Sequence, residues 1–132
     1  MPTVNVNIEQ LDHTASQATV RNHSMIMDRP EAKGGQNKGP MGGEAILMGL
    51  GGCFMSNLLA AAAAREIQLT HARADISGEL ADGPARFTDI NMKVFADCSA
   101  PDQLPKLMTI AERGCIAANT LKKSVNLSVE CG

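Results

Sequence analysis

Two of the four cysteines stand in settings that suit thiol chemistry. Cys53 lies in GLGGCFMSNLLAAAAAR (49–65), with Gly49 at i−4 and Gly52 at i−1. Glycines admit a close backbone or leave open space over a sulfur. Each also weakens a helix by about 1 kcal/mol relative to alanine, and the second half of this stretch is written in alanine. Cys115 follows Gly114 at an expected helix end, beside Glu112 and Arg113. A thiol at such a junction is expected to be reachable. One buried, framed thiol and one junction thiol suit a peroxidatic and a resolving cysteine. The first thiolate attacks a peroxide and becomes sulfenic acid. The second condenses with it to a disulfide, which an external dithiol reduces. The plain alternative is that both are small buried hydrophobes, a common role of free cysteine. Cys98, at a strand end, and Cys131, next to the last residue, take that plain reading.

The elements that must position these thiols follow from hydrophobic patterning. VNVNI (4–8) alternates as a strand, LDHTAS (11–16) turns, and ATVRNHSMIM (18–27) reads as the second strand of an N-terminal hairpin. DRPEAKGGQNKGPMGG (28–43) is a loop rich in Gly, Pro and charge, read as a mobile surface segment without phosphate-cradle spacing. A helix is expected over 43–66. HARADISGEL (71–80) and FTDINMKVFA (87–96) alternate as a second hairpin around ADGP. A helix from about Pro101 buries Leu104, Leu107, Met108 and Ala111 and stops at Gly114. AANTLKK reads as a short helical turn and SVNLSVE (124–130) as a final strand. The order ββ-α-ββ-α-β is that of an α+β protein with antiparallel sheets.

Ala45 to Ala64 carries no charge, and about 20 such residues can span a bilayer. Its glycines, Ser56, Asn57 and terminal alanines favour a soluble reading, a helix apolar all round and buried on every side. Five strands with one wet face cover only part of such a helix. A second copy of the chain is therefore expected to cover the rest.

Composition narrows the partners. The 132 residues, 44% hydrophobic and 20% charged with a net charge of −2, suit one soluble domain. No basic field and only Phe54, Phe87 and Phe95 as aromatics argue against nucleic acid. Cysteines this sparse, without CxxC spacing, suit neither a disulfide scaffold nor a metal site. PTVNVN after Met1 is unlike a secretory leader, so a cytoplasmic location is expected. The histidines are scattered; His71 falls on a wet strand face.

Three stretches together resemble the OsmC/Ohr family (osmotically inducible protein C and organic hydroperoxide resistance protein). They are GLGGCFMSNLLAAAAAREIQL, PARFTDINMKVF and LMTIAERGCIAANTLKKSVNLSV, in the family's order and spacing. The resemblance implies one OsmC-like domain over residues 1–132. It implies antiparallel sheets wrapped around long central helices in an intertwined homodimer. The 1–27 hairpin would pack on the partner subunit, with the sites at the interface. It implies reduction of organic hydroperoxides in an oxidative stress response, by a thiol and an external dithiol, with no metal or other cofactor. Cys53 matches the reactive position and Cys115 the second.

The chain also departs from the family. The hydroperoxide-resistance branch has an arginine in its first hairpin turn and a glutamate ten residues before the reactive cysteine. Here LDHTAS has no arginine, and Gly43 stands at the glutamate's place. Arg21, Arg29 and Glu44 are the remaining candidates to activate the thiol, with Gly52 as a pocket residue. Glu44 lies nine helical residues from Cys53, about 180° around and roughly 13 Å along the axis. The sequence thus resembles the OsmC-like branch more. The competing reading is a non-catalytic protein that binds an apolar small molecule, or senses redox state, in the interface cleft.

Overall fold

A computed structural model describes residues 1–132. The chain forms two compact units, Met1–Ile46 and Leu47–Gly132.

The first unit is a three-stranded antiparallel meander, β1 (Asn7–Gln10), β2 (Ser16–Val20) and β3 (His23–Met27). It replaces the expected two-stranded hairpin. The run 18–27 is broken at Arg21, which takes a left-handed φ of 53° and lets Val20 pair with His23. Val4 and Val6 lie outside β1 and are exposed.

The segment after β3 is pinned rather than loose. Asp28 is only 5% exposed and accepts backbone N–H groups from Arg29 (2.7 Å), Gln36 (3.0 Å) and Lys38 (3.3 Å). Burial alone would push its carboxyl up. These three donors and the Thr14 hydroxyl outweigh that and hold it below the usual carboxylate range. Asp12 clasps the same segment through the Lys38 ammonium and the Gln36 amide. Gly35 and Gly39 are obligatory here. A Cβ would stand 2.0 Å from Arg29 O at the first and 2.0 Å from Ile26 O at the second.

Helix α1 runs over Gly42–Ala64. Its start is capped by Glu44, whose Oε1 accepts the Met41 N–H at 2.8 Å, the carboxylate half of a capping box. By length and composition α1 could cross a membrane. One stripe of it instead builds the core of the second unit: Leu50, Phe54, Leu58, Ala61 and Ala62. The opposite stripe of Gly49, Gly52, Ser56, Leu59, Ala60 and Ala63 is exposed. One chain thus covers only part of the helix, as expected from strands with one wet face.

The rest of the second unit begins with a long antiparallel pair, β4 (Leu69–Ala81) and β5 (Arg86–Cys98). Ala74, Ile76, Gly78, Ile90, Met92 and Val94 turn towards the core side as alternation requires. Leu80, assigned by alternation to the same face, is exposed because a bulge at Glu79/Leu80 shifts the register. After a 3-10 turn at Pro101–Gln103 come α2 (Leu104–Gly114) and α3 (Ile116–Leu121). Pro105 sits in the first turn of α2, where its missing N–H costs nothing. Leu107, Ala111 and Cys115 form one buried stripe against Leu50, Phe54 and Leu58. The expected final strand at 124–130 does not form. Val125, Leu127 and Val129 are exposed, and no neighbouring strand pairs with them. A strand without a partner leaves its backbone groups to water.

Candidate functional site

Gly49, Gly51 and Gly52 stand beside Cys53 in α1. They do two things. An alanine Cβ at Gly51 would meet Ile76 Cδ1 at 2.5 Å, so this glycine seats α1 closely on β4. At Gly49 and Gly52 a Cβ would meet nothing within 4 Å. Those two leave open space on the helix surface next to Cys53.

Cys53 itself is half-buried, one residue before the core side chain Phe54. Cys115 is fully buried. This reverses the expectation of a framed, buried Cys53 and a reachable junction thiol. Cys115 does occupy the α2–α3 junction, with extended backbone (φ −80°, ψ 107°). It is buried because it lies four residues after Ala111 and continues the core stripe of α2. Its sulfur caps α3 by accepting the Ala118 N–H at 3.4 Å, a task usually given to Ser, Thr, Asp or Asn.

The fold sets the two free thiols side by side. The first turn of α3 points its backbone at Cys53. The Ala117 N–H is the main donor lowering its pKa. Burial opposes it, and the Cys115 thiol and the Ile116 N–H add to the lowering. Cys115 is pushed the other way. Burial raises it most, and the Cys53 thiolate raises it further, against the Ala118 and Ala117 N–H groups. Of the two thiols, Cys53 is therefore the one these surroundings favour to lose its proton first. Neutral peptide groups and a neighbouring thiol provide the setting in which a cysteine becomes nucleophilic.

Asn57, one turn after Cys53, completes the surroundings. Its Nδ2 donates to Cys53 O at 2.9 Å and lies 3.9 Å from Cys53 Sγ. Its Oδ1 sits against Gly114, where a Cβ would come within 2.9 Å. The α2–α3 junction thus needs glycine at 114 to bring Cys115 up to this turn of α1.

The other candidates are engaged elsewhere. Glu44 caps α1. Arg21 stands exposed in the β2–β3 turn. Arg29 lends its backbone N–H to Asp28 and its carbonyl to Asn37, with its side chain exposed. None is among the groups that shift Cys53. Gly52 is adjacent to Cys53 and open. Cys98 donates to Ala100 O at 3.2 Å and closes the turn after β5, and Cys131 lies on the exposed tail. His71 pairs with Asp97 at 2.9 Å on the wet face of the β4–β5 ribbon. Asn57 and the Ile116 and Ala117 N–H groups are what sequence reasoning missed. Asn57 carried a signal: it is the amide one turn from Cys53 in an otherwise apolar segment. The N–H groups carried none, since any residue supplies them.

The OsmC-like protein family model matches residues 35–130. The chain belongs to the OsmC-like family. No curated relative matches it. Its fold is similar to that of an OsmC-like protein from Mycoplasma pneumoniae, with a TM-score of 0.79 at 19% identity over 92% of this chain and 88% of that one. It is also similar to organic hydroperoxide resistance proteins from Elizabethkingia anophelis and Legionella pneumophila. Both give a TM-score of 0.62, at 14% and 16% identity, over 90% of this chain and 87% and 88% of theirs. These structural likenesses establish the shared α+β fold with its antiparallel sheets and helices.

Proposed function

We propose that this OsmC-like protein is a thiol peroxidase that reduces organic hydroperoxides through Cys53 and Cys115. The observation that carries the reading is that Cys53 packs against the cluster holding Cys115, so that the two free thiols neighbour each other. A thiolate held at Cys53 by the Ala117 and Ile116 N–H groups is the nucleophile, and the protonated Cys115 beside it is the resolving thiol. Family membership and neighbours named as organic hydroperoxide resistance proteins support it. It would serve an oxidative stress response.

In the first step the Cys53 thiolate attacks the distal oxygen of the hydroperoxide. An S–O bond forms as the O–O bond breaks. The sulfur loses two electrons, and the leaving alkoxide takes a proton from water to become the alcohol. Cys115 then gives up its proton and attacks the Cys53 sulfur. The S–S bond forms, and the displaced hydroxide takes that proton and leaves as water. An external dithiol returns both cysteines to thiols by exchange. The missing arginine and glutamate are replaced by peptide N–H groups, which need no particular side chain.

The working unit in this proposal is a homodimer. The chain exposes 9864 Å². A monomer of this mass is expected to expose about 6,700 Å², or about 8,000 Å² if its two units are counted as separate bodies. Large apolar side chains stand exposed on this chain: Ile46, Met48 and Leu59 on α1, Ile116 on α3, and Val125, Leu127 and Val129 on the tail. A second copy of the same chain, bringing its own exposed α1 stripe and an unpaired tail, is the occupant that matches both features.

The test is consumption of cumene hydroperoxide with a dithiol. Wild type turns over and Cys53→Ser does not. Equal slow loss with both would leave the competing reading of a binding or sensing protein without turnover.

A further inference from the structure

Asn57 lies beside the reacting sulfur and has been given no role in the reaction so far. Its amide carries two N–H donors. One is used on Cys53 O at 2.9 Å, and the nitrogen stands 3.9 Å from Cys53 Sγ. That separation is long for a direct bond to sulfur. The amide cannot usefully turn over, because Oδ1 would then face Cys53 O, acceptor against acceptor. We propose, resting on the peroxidase reading, that the second N–H of Asn57 binds the oxygen that Cys53 acquires. It would hold the distal oxygen of the hydroperoxide during transfer and the sulfenic oxygen afterwards.

The geometry suits an oxygen better than a sulfur. With an S–O bond of about 1.65 Å and an N–H···O distance of about 2.9 Å, a nitrogen 3.9 Å from the sulfur gives an angle of roughly 115° at the oxygen. That is an ordinary angle for a singly bonded oxygen accepting a hydrogen bond. A donor aimed where charge develops, and not at the resting thiolate, favours the transition state over the ground state. The Ala117 and Ile116 N–H groups stabilise the thiolate and Asn57 its oxygenated product, so the two sets act at different points of the same step.

The experiment compares two electrophiles on wild type, Asn57→Ala and Asn57→Leu. Cumene hydroperoxide gives the sulfur an oxygen, and iodoacetamide does not. Single-turnover oxidation of Cys53 is expected to slow tenfold or more in both variants, with alkylation within twofold of wild type at each pH. Equal oxidation rates in wild type and variants would overturn the assignment to Asn57 and leave the peroxidase reading intact. Oxidation and alkylation falling together would also overturn it, since Asn57 would then serve the thiolate alone. A wild type that resists the hydroperoxide removes the peroxidase reading and this inference with it. Leucine has the same four-heavy-atom skeleton branched at Cγ as asparagine, so it keeps the site filled should alanine unsettle the helix.

Discussion

Gly52→Ala separates a lone chain from a dimer. In the chain alone, the new methyl meets nothing within 4 Å. The helix would then gain about 1 kcal/mol from the exchange of glycine for alanine. Unfolding entropy of about 2.1 cal/mol/K per residue gives roughly 0.28 kcal/mol/K for this length, so the melting temperature would rise by about 3–4 °C. In the proposed homodimer the stripe of Gly49, Gly52, Ser56, Ala60 and Ala63 faces a second copy. The methyl then enters a filled space twice, once per protomer, at about 1–3 kcal/mol each. The proposal expects a lower melting temperature and dissociation at micromolar concentration, read by circular dichroism and sedimentation velocity. Gly51→Ala is the internal control. Its Cβ would press on Ile76 Cδ1, and turning that side chain costs about 0.5–1.5 kcal/mol. This roughly cancels the helix gain, so little change is expected. A rise of 3–4 °C for Gly52→Ala with unchanged mass would refute packing of a second copy on this stripe.

Further expectations follow from the site and the core. Alkylation of Cys53 by iodoacetamide should inflect at lower pH than that of the exposed Cys131, because its folded pKa is lowered; Cys115→Ala removes a donor and should move the inflection upward. Leu58→Ala empties a fully buried position and should cost about 2–5 kcal/mol in urea unfolding. Asp28 and Asp12 are both held below the usual carboxylate range. Their contribution is therefore complete above about pH 4 and is lost as pH falls further through the lowered values. The amide signals of Gln36 and Lys38 should keep their positions down to about pH 4 and shift below it, and Asp28→Asn should shift them already at pH 7.

Much of this architecture was readable from periodicity, because the second unit obeys it. The β4–β5 alternation and the Leu107–Ala111 spacing lead to the same core face that the fold buries. Three features escaped for physical reasons. Arg21 in a left-handed turn divides one apparent strand into two, and no glycine announces it. The pinned segment 28–40 looks loose by composition, but two aspartates gather its N–H groups across many residues of chain. The tail alternates correctly for a strand, yet alternation describes a surface and not a partner. At the site, the side chains of Cys53 and Cys115 were legible, whereas their order of burial was not. Cys115 is buried by the stripe of α2 that a junction position conceals. The lowering of the Cys53 pKa comes first from a peptide N–H group of α3, which leaves no mark in a sequence.

The adjacency of the two thiols is the centre of the account, and one measurement addresses it directly. The protein is treated with one equivalent of cumene hydroperoxide, quenched with acid, alkylated and mapped by mass spectrometry. The account predicts a Cys53–Cys115 disulfide as the main product, with Cys98 and Cys131 alkylated as free thiols. Cys53 left untouched, or oxidised to the sulfinic acid while Cys115 stays free, would contradict it.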